Sequence, residues 1–289
     1  MRLKASIFLA ALCALNSCQD IAYGPWPREM VPGTVRHYPC IRTTLAPTLD
    51  GLLEEPLLID GKKVENPWRR APWSDAFLDI EGPSMPSPCY ATWMKMLWDT
   101  EFLYVAAFIV EPDLWGTIDK NDMVIFSQHD FEIFIDPDGD MASYYEIEFN
   151  ILGSIFDLYM DKEYRLGGTA HPEWDCEGIQ GVVNCVGTAN NSTDTDKCWT
   201  VEIKIPFKCL RPPKTVSNDR AENIRDGDFP SEGEKWRMNF SRVEWQLEKV
   251  GSTYVKKPGT SEFNWVWTPQ WAVDMHRLEH WGVVEFISK

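Results

Sequence analysis

The stretch HDFEIFIDPDGD at residues 129–140, followed after three residues by YYEIEFN at 144–150, decides the fold class. Apolar and polar side chains alternate through Phe131–Asp136 and again through Tyr144–Leu152, which predicts two strands with one apolar and one polar face. The Asp, Pro and Gly residues between them are typical of a hairpin turn. We therefore expect an antiparallel pair of strands that carries Glu146, Glu148 and Asn150 on its polar face.

The same period of two recurs on both sides of this hairpin. Apolar or alternating segments of strand length lie at Thr92–Trp98, Phe102–Val110, Thr200–Pro206, Trp236–Trp245 and Gly282–Ile287. No stretch shows a long amphipathic helix, and one short helical turn is expected at Pro206–Leu210. This pattern predicts an all-β fold, an antiparallel β-sandwich of jelly-roll-like form with little helix.

Residues 1–18 have the form of a secretory signal peptide, because Arg2 and Lys4 precede an apolar stretch from Ala5 to Leu15. We therefore expect an extracellular, secreted protein. The alternative is a protein anchored at the cell surface by lipid on Cys18, since the four residues ending at Cys18 resemble a lipoprotein cleavage box.

The remaining chain divides into two parts. Residues 19–44 contain four prolines, which disfavour helix and central strand, and predict an extended N-terminal arm. Residues 45–289 show no repeat and no flexible linker, so they predict one domain. No later segment is long and apolar enough to cross a membrane. The net charge of −16 argues against nucleic acid as a partner, since few cations are present to replace phosphate counterions.

Six cysteines remain once Cys13 and Cys18 are set aside with the signal segment, an even number that suits an oxidising compartment. Sequence proximity favours two local disulfides, Cys176–Cys185 and Cys198–Cys209, which leaves Cys40 to pair with Cys89. Six cysteines allow fifteen pairings, so this connectivity is a hypothesis.

Fourteen tryptophans form the most unusual part of the composition. Trp98, Trp199, Trp236 and Trp281 lie in strand-like segments and are expected in the core. Five others lie near Gly, Pro, Asp or Asn in predicted loops, where an exposed indole offers a flat face to a sugar ring: Trp115, Trp174, Trp265, Trp267 and Trp271. We expect Trp115, Trp174, Trp265 and Trp271 to contact ligand, with Trp115 and Trp271 as the main platform.

A series of ordered segments carries a family resemblance. These are TLDG at 48–51, Trp68, APWS at 71–74, MLWDTEFLYVAAFI at 96–109, the hairpin segments above, CWTVEIKIPF at 198–207 and HWGVVEF at 280–286. Together they resemble a family 9 carbohydrate-binding module, of the type attached to xylanases and other glycoside hydrolases, over residues 45 to 289. The resemblance implies a β-sandwich, recognition of extracellular polysaccharide and structural calcium.

Family members clamp a terminal sugar between two loop tryptophans, aided by charged and amide side chains. On this sequence Glu132 and Asn150 match the polar set, and Glu148 stands where members carry an arginine. Phe126 stands at the first tryptophan position and Met275 near the second. The resemblance therefore supports the fold more strongly than the identity of the ligand.

Two further residues are candidates for the ligand site. Arg242 lies on an otherwise apolar strand face, and a cross-sheet pair with Glu148 would restore a positive centre there. His276 lies in a polar loop before the last strand, where its ring can hydrogen-bond ligand or loop carbonyls.

The carboxylates Asp136, Asp138 and Asp140 alternate before a tight turn and offer oxygen ligands for Ca²⁺. Their ordinary role would be to stabilise the hairpin turn. A calcium site built from Asp50, Asp60 or Asp75 is an equal alternative.

These features predict a secreted protein that binds a plant-type or microbial polysaccharide of the xylan or glucan class by aromatic stacking, in carbohydrate catabolism. A second interpretation is a glycoside hydrolase that uses two of Glu132, Glu146 and Glu148 as its carboxylate pair. A third is a surface domain for protein contacts.

Overall fold

The computed structural model describes residues 30–59, 62–210 and 230–288. The predicted signal segment 1–18, with Cys18, lies outside these ranges, as do residues 19–29 of the predicted arm. Within them the regular secondary structure is almost entirely β-strand, and the helices are 3-10 turns of three or four residues. This confirms the all-β prediction. In these ranges no helix is long and apolar enough to span a bilayer.

Seventeen strands follow one another along the described residues. They are β1 His37–Arg42, β2 Leu57–Ile59, β3 Lys62–Val64, β4 Leu78–Asp79, β5 Thr92–Trp98, β6 Phe102–Val110, β7 Asp130–Asp136, β8 Tyr144–Asn150, β9 Ile155–Met160, β10 Ala170–His171, β11 Gln180–Val186, β12 Cys198–Pro206, β13 Lys235–Glu244, β14 Leu247–Val250, β15 Thr253–Lys256, β16 Phe263–Val266 and β17 Gly282–Ile287. The seven segments predicted from alternation match β5, β6, β7, β8, β12, β13 and β17 to within two residues at either end. The expected helical turn is a 3-10 helix at Phe207–Cys209.

Thirteen of these strands form one sheet in the order β10-β9-β8-β7-β13-β17-β1-β5-β6-β12-β11, with β16 beside β13 and β4 beside β16. The sheet curls on itself, so the apolar faces of β7 and β8 share one core with those of β5, β6 and β12. Gly181 on β11 shows how close the two halves come, because a Cβ there would lie 2.1 Å from Cε1 of Phe149 on β8. The sandwich therefore consists of two halves of a continuous sheet.

The predicted N-terminal arm differs from the structure at β1. This strand lies in the middle of the sheet and runs parallel to both neighbours, β17 and β5, despite Pro39. Its pairing with β5 begins only at Ile41, after the proline, and Met96 N–H of β5 donates to Tyr38 Oη at 2.8 Å. On the β5 side the ladder therefore starts beyond Pro39, so the rule against proline in a central strand is relaxed there.

The predicted cysteine pairing is wrong. Cys176 is bonded to Cys209, 33 residues later, which excludes both Cys176–Cys185 and Cys198–Cys209. Cys40 is a buried thiol of the core and Cys89 an exposed one, so this predicted pair is also absent. The 3-10 turn after β12 brings Cys209 against the loop before β11, and this long-range contact is invisible to a rule based on sequence proximity.

Replacing Cys176 and Cys209 together by serine should lower the free energy of unfolding by about 3–4 kcal/mol. The reason is that the unfolded chain regains the conformational entropy that the bond removes by closing a loop across a sequence separation of 33. Urea unfolding measures the loss, and Cys89→Ser, at an exposed free thiol, is the matched control. Peptide mapping without reductant that found Cys176 joined to Cys185 would contradict the assignment.

Candidate functional site

The polar face of the β7–β8 hairpin forms a row of carboxylates. Glu132 lies directly opposite Glu148 in the register, and Phe134 lies opposite Glu146. On the other side of β7, Ser241 of β13 lies opposite Glu132. Directly paired residues of antiparallel strands share one face, so these groups all lie on the side of the sheet away from the core.

A cavity of about 740 Å³ opens over this face. Its floor is the carboxylate row with Phe134, Phe156 and Leu158, and its walls are the loop before β7, the turn after β9 and the loop before β17. The residues that line it are Ile80, Asp122, Val124, Phe126, Glu132, Phe134, Glu146, Glu148, Phe156, Leu158, Tyr164, Ala170, Pro172, Val243, Glu262, Asn264, Val273, Asp274, Met275 and His276. The volume is within the range of small-molecule sites, roughly 300–1,000 Å³.

Two aromatic side chains of the lining are exposed. Phe126 and Tyr164 each have a relative exposure of 48%. The Phe126 backbone is fixed from both sides, because its N–H donates to Glu148 Oε2 at 2.9 Å and its carbonyl accepts from Trp245 Nε1 at 3.1 Å. The ring is therefore held in the open on a fixed backbone, which suits contact with a ligand.

His276 forms another part of the cavity wall. The hydroxyl of Tyr144 lies 2.7 Å from its Nδ1, and its Nε2 lies 3.9 Å from Glu146 Oε2. The ring also meets that of Tyr164 edge-on, with 4.6 Å between centroids. Burial lowers the pKa of His276 to about 4, so the ring is neutral at pH 7.

The pocket is strongly acidic. Six carboxylate residues line it, and no lysine or arginine occurs among its described lining residues. Burial raises the pKa of Glu132 to about 7. Burial and the charge of Glu132 raise the pKa of Glu146 to about 8, and burial raises that of Glu148 well above its ordinary value. At pH 7 Glu132 is therefore about half protonated and Glu146 mostly protonated, so these two groups can donate hydrogen bonds as well as accept them.

The expected exposure of the loop tryptophans is wrong. Trp115, Trp174 and Trp265 are buried, and Trp271 is half-buried with its ring against Gly82. Trp115 packs edge-on against His129, and Trp174 packs on Tyr145. None of these residues lines the cavity. Trp265 lies on strand β16, and Trp174, Trp265 and Trp267 belong to the main core. The four strand tryptophans predicted in the core are buried there.

The other predicted ligand residues divide between two roles. Glu132, Glu148 and His276 line the cavity as expected. Asn150 is fully buried at the end of β8 and does not line it. Its amide donates to the Ile118 carbonyl and its Oδ1 accepts from the backbone of the following turn, so it stabilises the loops.

The predicted pair of Arg242 with Glu148 is also wrong, because the two residues lie on opposite faces of the sheet. Arg242 Nη2 lies 2.5 Å from Glu111 Oε2 and 2.7 Å from Glu244 Oε2, and His129 Nδ1 contacts the same two carboxylates. Burial alone would lower the pKa of His129, but Glu244 and Glu111 raise it to about 10. Two cations thus balance two carboxylates in a buried network.

The predicted calcium ligands at the hairpin turn lie together, with one oxygen of each within 4.8 Å of the others. Asp136 accepts hydrogen bonds from Gly139 N–H and Met141 N–H, and Asp140 accepts one from Ala142 N–H. These bonds are the ordinary role of aspartate in a turn. The three carboxylates fit an oxygen-preferring cation, and calcium here stays a prediction.

Of the alternative calcium ligands, Asp50 and Asp75 are described, and each contacts a different partner. Asp50 caps its own turn, where its Oδ1 accepts from Leu52 N–H, and Asp75 lies beside Arg36. Asp60 lies outside the described residues.

Sequence reasoning missed Tyr164 and Asp130. Tyr164 lies in a short segment between β9 and β10 with no periodicity to mark it. Asp130 carried a usable signal, since it precedes Glu132 by two residues and therefore shares its strand face.

Replacing Arg242 by alanine should lower the free energy of unfolding by about 3–5 kcal/mol, because Glu111 and Glu244 would be left buried without that cation. Urea unfolding measures the loss, and Arg69→Ala, a half-exposed ion pair, is the control with an expected loss of about 1 kcal/mol or less. Equal losses in the two variants would show that the network contributes little.

The stability of the protein in chelator should fall as the pH rises from about 5 to about 8. Glu132 and Glu146 lose protons near the ordinary value of 4.5 in the unfolded chain, but at about 7 and about 8 in the folded protein. Between these values the native state binds more protons, so the free energy of unfolding decreases with pH. Above pH 6.5 the raised pKa of His129 acts in the same direction.

Thermal melting across this pH range measures the effect. Glu146→Gln should flatten the dependence, whereas Glu101→Gln, at an exposed position, should leave it unchanged. A slope that is the same in Glu146→Gln and wild type would exclude Glu146 as a source.

Comparison with known proteins places this geometry in context. Among curated proteins the chain is similar to Endo-1,4-beta-xylanase A of Thermoanaerobacterium saccharolyticum, with 27% identity over 119 residues. The match covers 41% of this chain and 8% of the xylanase, so it spans a small part of that enzyme.

Among solved structures the chain is similar to a candidate carbohydrate-binding protein from Bacteroides uniformis, with a TM-score of 0.56 and 13% identity over 88% of this chain and 100% of that one. This similarity shows a shared fold. A family 9 module from Caldicellulosiruptor kristjanssonii, solved with glucose and with cellotriose, has 15% identity and a TM-score of 0.49 in each complex. Those matches cover 88% and 89% of this chain and 97% and 95% of the module.

The family model described as carbohydrate family 9 binding domain-like matches residues 59–228, which contain strands β3 to β12 and most of the pocket floor. Because this match covers more than half of the chain, the protein belongs to the carbohydrate family 9 binding domain-like family.

Proposed function

We propose that the protein binds a sugar unit of a polysaccharide or oligosaccharide in the cavity over β7, β8 and β9. The observation that carries the proposal is the combination of exposed aromatic walls with a floor of hydrogen-bonding carboxyl groups in one open pocket. A pyranose ring has apolar C–H faces and a polar hydroxyl edge, so it needs both kinds of surface.

The aromatic contact comes from Phe126 and Tyr164, in place of the tryptophans expected from the sequence. The carboxyl groups of Glu132, Glu146 and Glu148 form the floor between them. The pKa values of about 7 for Glu132 and about 8 for Glu146 mean that, without a bound cation, these two groups carry protons for much of the time near neutral pH and can donate hydrogen bonds to sugar hydroxyls.

The glycan is proposed to be a plant-type or microbial polysaccharide of the xylan or glucan class, and the protein to be exported for carbohydrate catabolism. Similarity to part of a xylanase supports the glycan class, and the signal-like segment 1–18 supports export, with a lipid anchor at Cys18 as the alternative. Affinity electrophoresis against soluble xylan, glucan and pectin tests the glycan class directly.

Glycoside hydrolysis is a second candidate, favoured by one observation. Glu146 and Glu132 lie in an open pocket with pKa values of about 8 and about 7, and a glycosidase needs one carboxyl group that holds its proton at working pH. Release of reducing sugar from the bound glycan, lost in Glu146→Gln, would establish it. Retention of the glycan without release would support binding alone.

Replacing Phe126 or Tyr164 by alanine should weaken sugar binding by about 30-fold or more, as loss of an aromatic contact at the centre of a site does. The melting temperature should stay near that of wild type, because both rings are half exposed. Phe263→Ala is the matched control, since Phe263 is similarly exposed but does not line this cavity. Equal retention of glycan by all three variants would reject the pocket as the binding site.

A further inference from the structure

Three carboxylates converge beneath the pocket. Asp130 and Glu132 lie two residues apart on the same face of β7, and Glu148 of β8 lies opposite Glu132. One oxygen of each lies within 4.8 Å of the others. Asp130 and Glu148 are fully buried and Glu132 is almost so. This cluster lies on the face opposite to the Arg242 network and apart from the Asp136 turn.

The backbone fixes the orientation of two of these carboxylates. Asp130 Oδ1 accepts from Val243 N–H at 3.0 Å, and Glu148 Oε2 accepts from Phe126 N–H at 2.9 Å. The second oxygens, Asp130 Oδ2 and Glu148 Oε1, are buried and have no hydrogen-bond partner. Buried polar atoms are nearly always satisfied, so two such oxygens in one cluster indicate a missing partner.

Among the described residues no ion pair joins a cation to this cluster. The neighbouring cations, His129 and Arg242, are bonded to Glu111 and Glu244 on the other face. No lysine or arginine lines the cavity within the described part of the chain. The missing partner is therefore a water, a proton or a bound cation, and of these only a cation also balances the charge of three carboxylates.

We propose that Asp130, Glu132 and Glu148 bind a divalent, oxygen-preferring cation, Ca²⁺, at the pocket floor, and that sugar hydroxyls complete its coordination. Ca²⁺ takes six to eight oxygen ligands, so three carboxylates leave positions open. Glu132 and Glu148 line the cavity, which places the bound cation next to ligand. The second half of this proposal rests on the proposed function, and the first half does not.

Titration of CaCl₂ into chelator-treated protein, followed by calorimetry without sugar, tests the first half. Wild type should bind a Ca²⁺ ion whose affinity falls about 10- to 100-fold in Asp130→Asn and in Glu148→Gln. Both variants keep the oxygen that accepts the backbone N–H. Asp138→Asn, in the other acidic cluster, is the matched control and should bind this ion as wild type does. No uptake by wild type, or uptake lost only in Asp138→Asn, would overturn the proposal.

Folding of the variants is checked in the same experiment. Asp130→Asn and Glu148→Gln each remove a buried charge, so in chelator they should melt at or above the wild-type temperature. Added Ca²⁺ should raise the melting temperature of wild type and of Asp138→Asn more than that of these two variants. An equal rise in wild type and in both variants would place the ion elsewhere and overturn the assignment.

Affinity electrophoresis against xylan and glucan, with Ca²⁺ and with chelator, tests the second half. Retention of wild type should be lost in chelator and restored by Ca²⁺. If wild type is retained equally by the glycan with Ca²⁺ and with chelator, the proposal that the ion coordinates the sugar is overturned. Absence of retention in Ca²⁺, in a protein that takes up Ca²⁺, would reject the proposed function and leave the cation site standing.

Discussion

The register of β7 against β8 is the constraint on which the pocket depends. Glu132 faces Glu148 on the outer face, while Ile133 faces Ile147 in the core. A shift by one residue would place the carboxylates in the core and the isoleucines in water. The cost of burying several charges in an apolar core exceeds the whole stability of a typical domain, about 5–15 kcal/mol. The same alternation that builds the core therefore also fixes the acidic floor.

The sheet separates two groups of buried acids that behave differently. On the core side, Glu111 and Glu244 lie within bonding distance of Arg242 and His129, and the charges balance. On the outer side, Asp130 and its neighbours have no such cation and lie beneath an open cavity. His129 and Asp130 are adjacent in sequence, so their side chains lie on opposite faces of the sheet, His129 in the first group and Asp130 in the second. The first group links strands to one another. The second group contains carboxylate oxygens without hydrogen-bond partners, as expected of a ligand site.

The parts of this structure that sequence could predict are local ones. Alternation in segments such as Phe131–Asp136 predicts both that the segment is a strand and which of its side chains point to the core, because the period of two is a property of neighbouring residues. Burial of Trp115 against His129, or of Trp174 against Tyr145, depends on segments more than ten residues away. The bond of Cys176 to Cys209 and the hydroxyl of Tyr38 that serves Met96 have the same long-range origin. The sequence around a tryptophan beside glycine or proline is the same whether the folded chain buries that tryptophan or leaves it exposed.

The place of β17 in the sheet has a consequence for the order of folding. This strand, residues 282–287, is hydrogen-bonded to β13 on one side and β1 on the other, and so provides the only strand-to-strand link between the halves in the described sheet. The ribosome makes all the other described strands before this one. Until β17 emerges, the nascent halves present unpaired edges at β1 and β13, a period in which the chain is open to mispairing and to capture by chaperones.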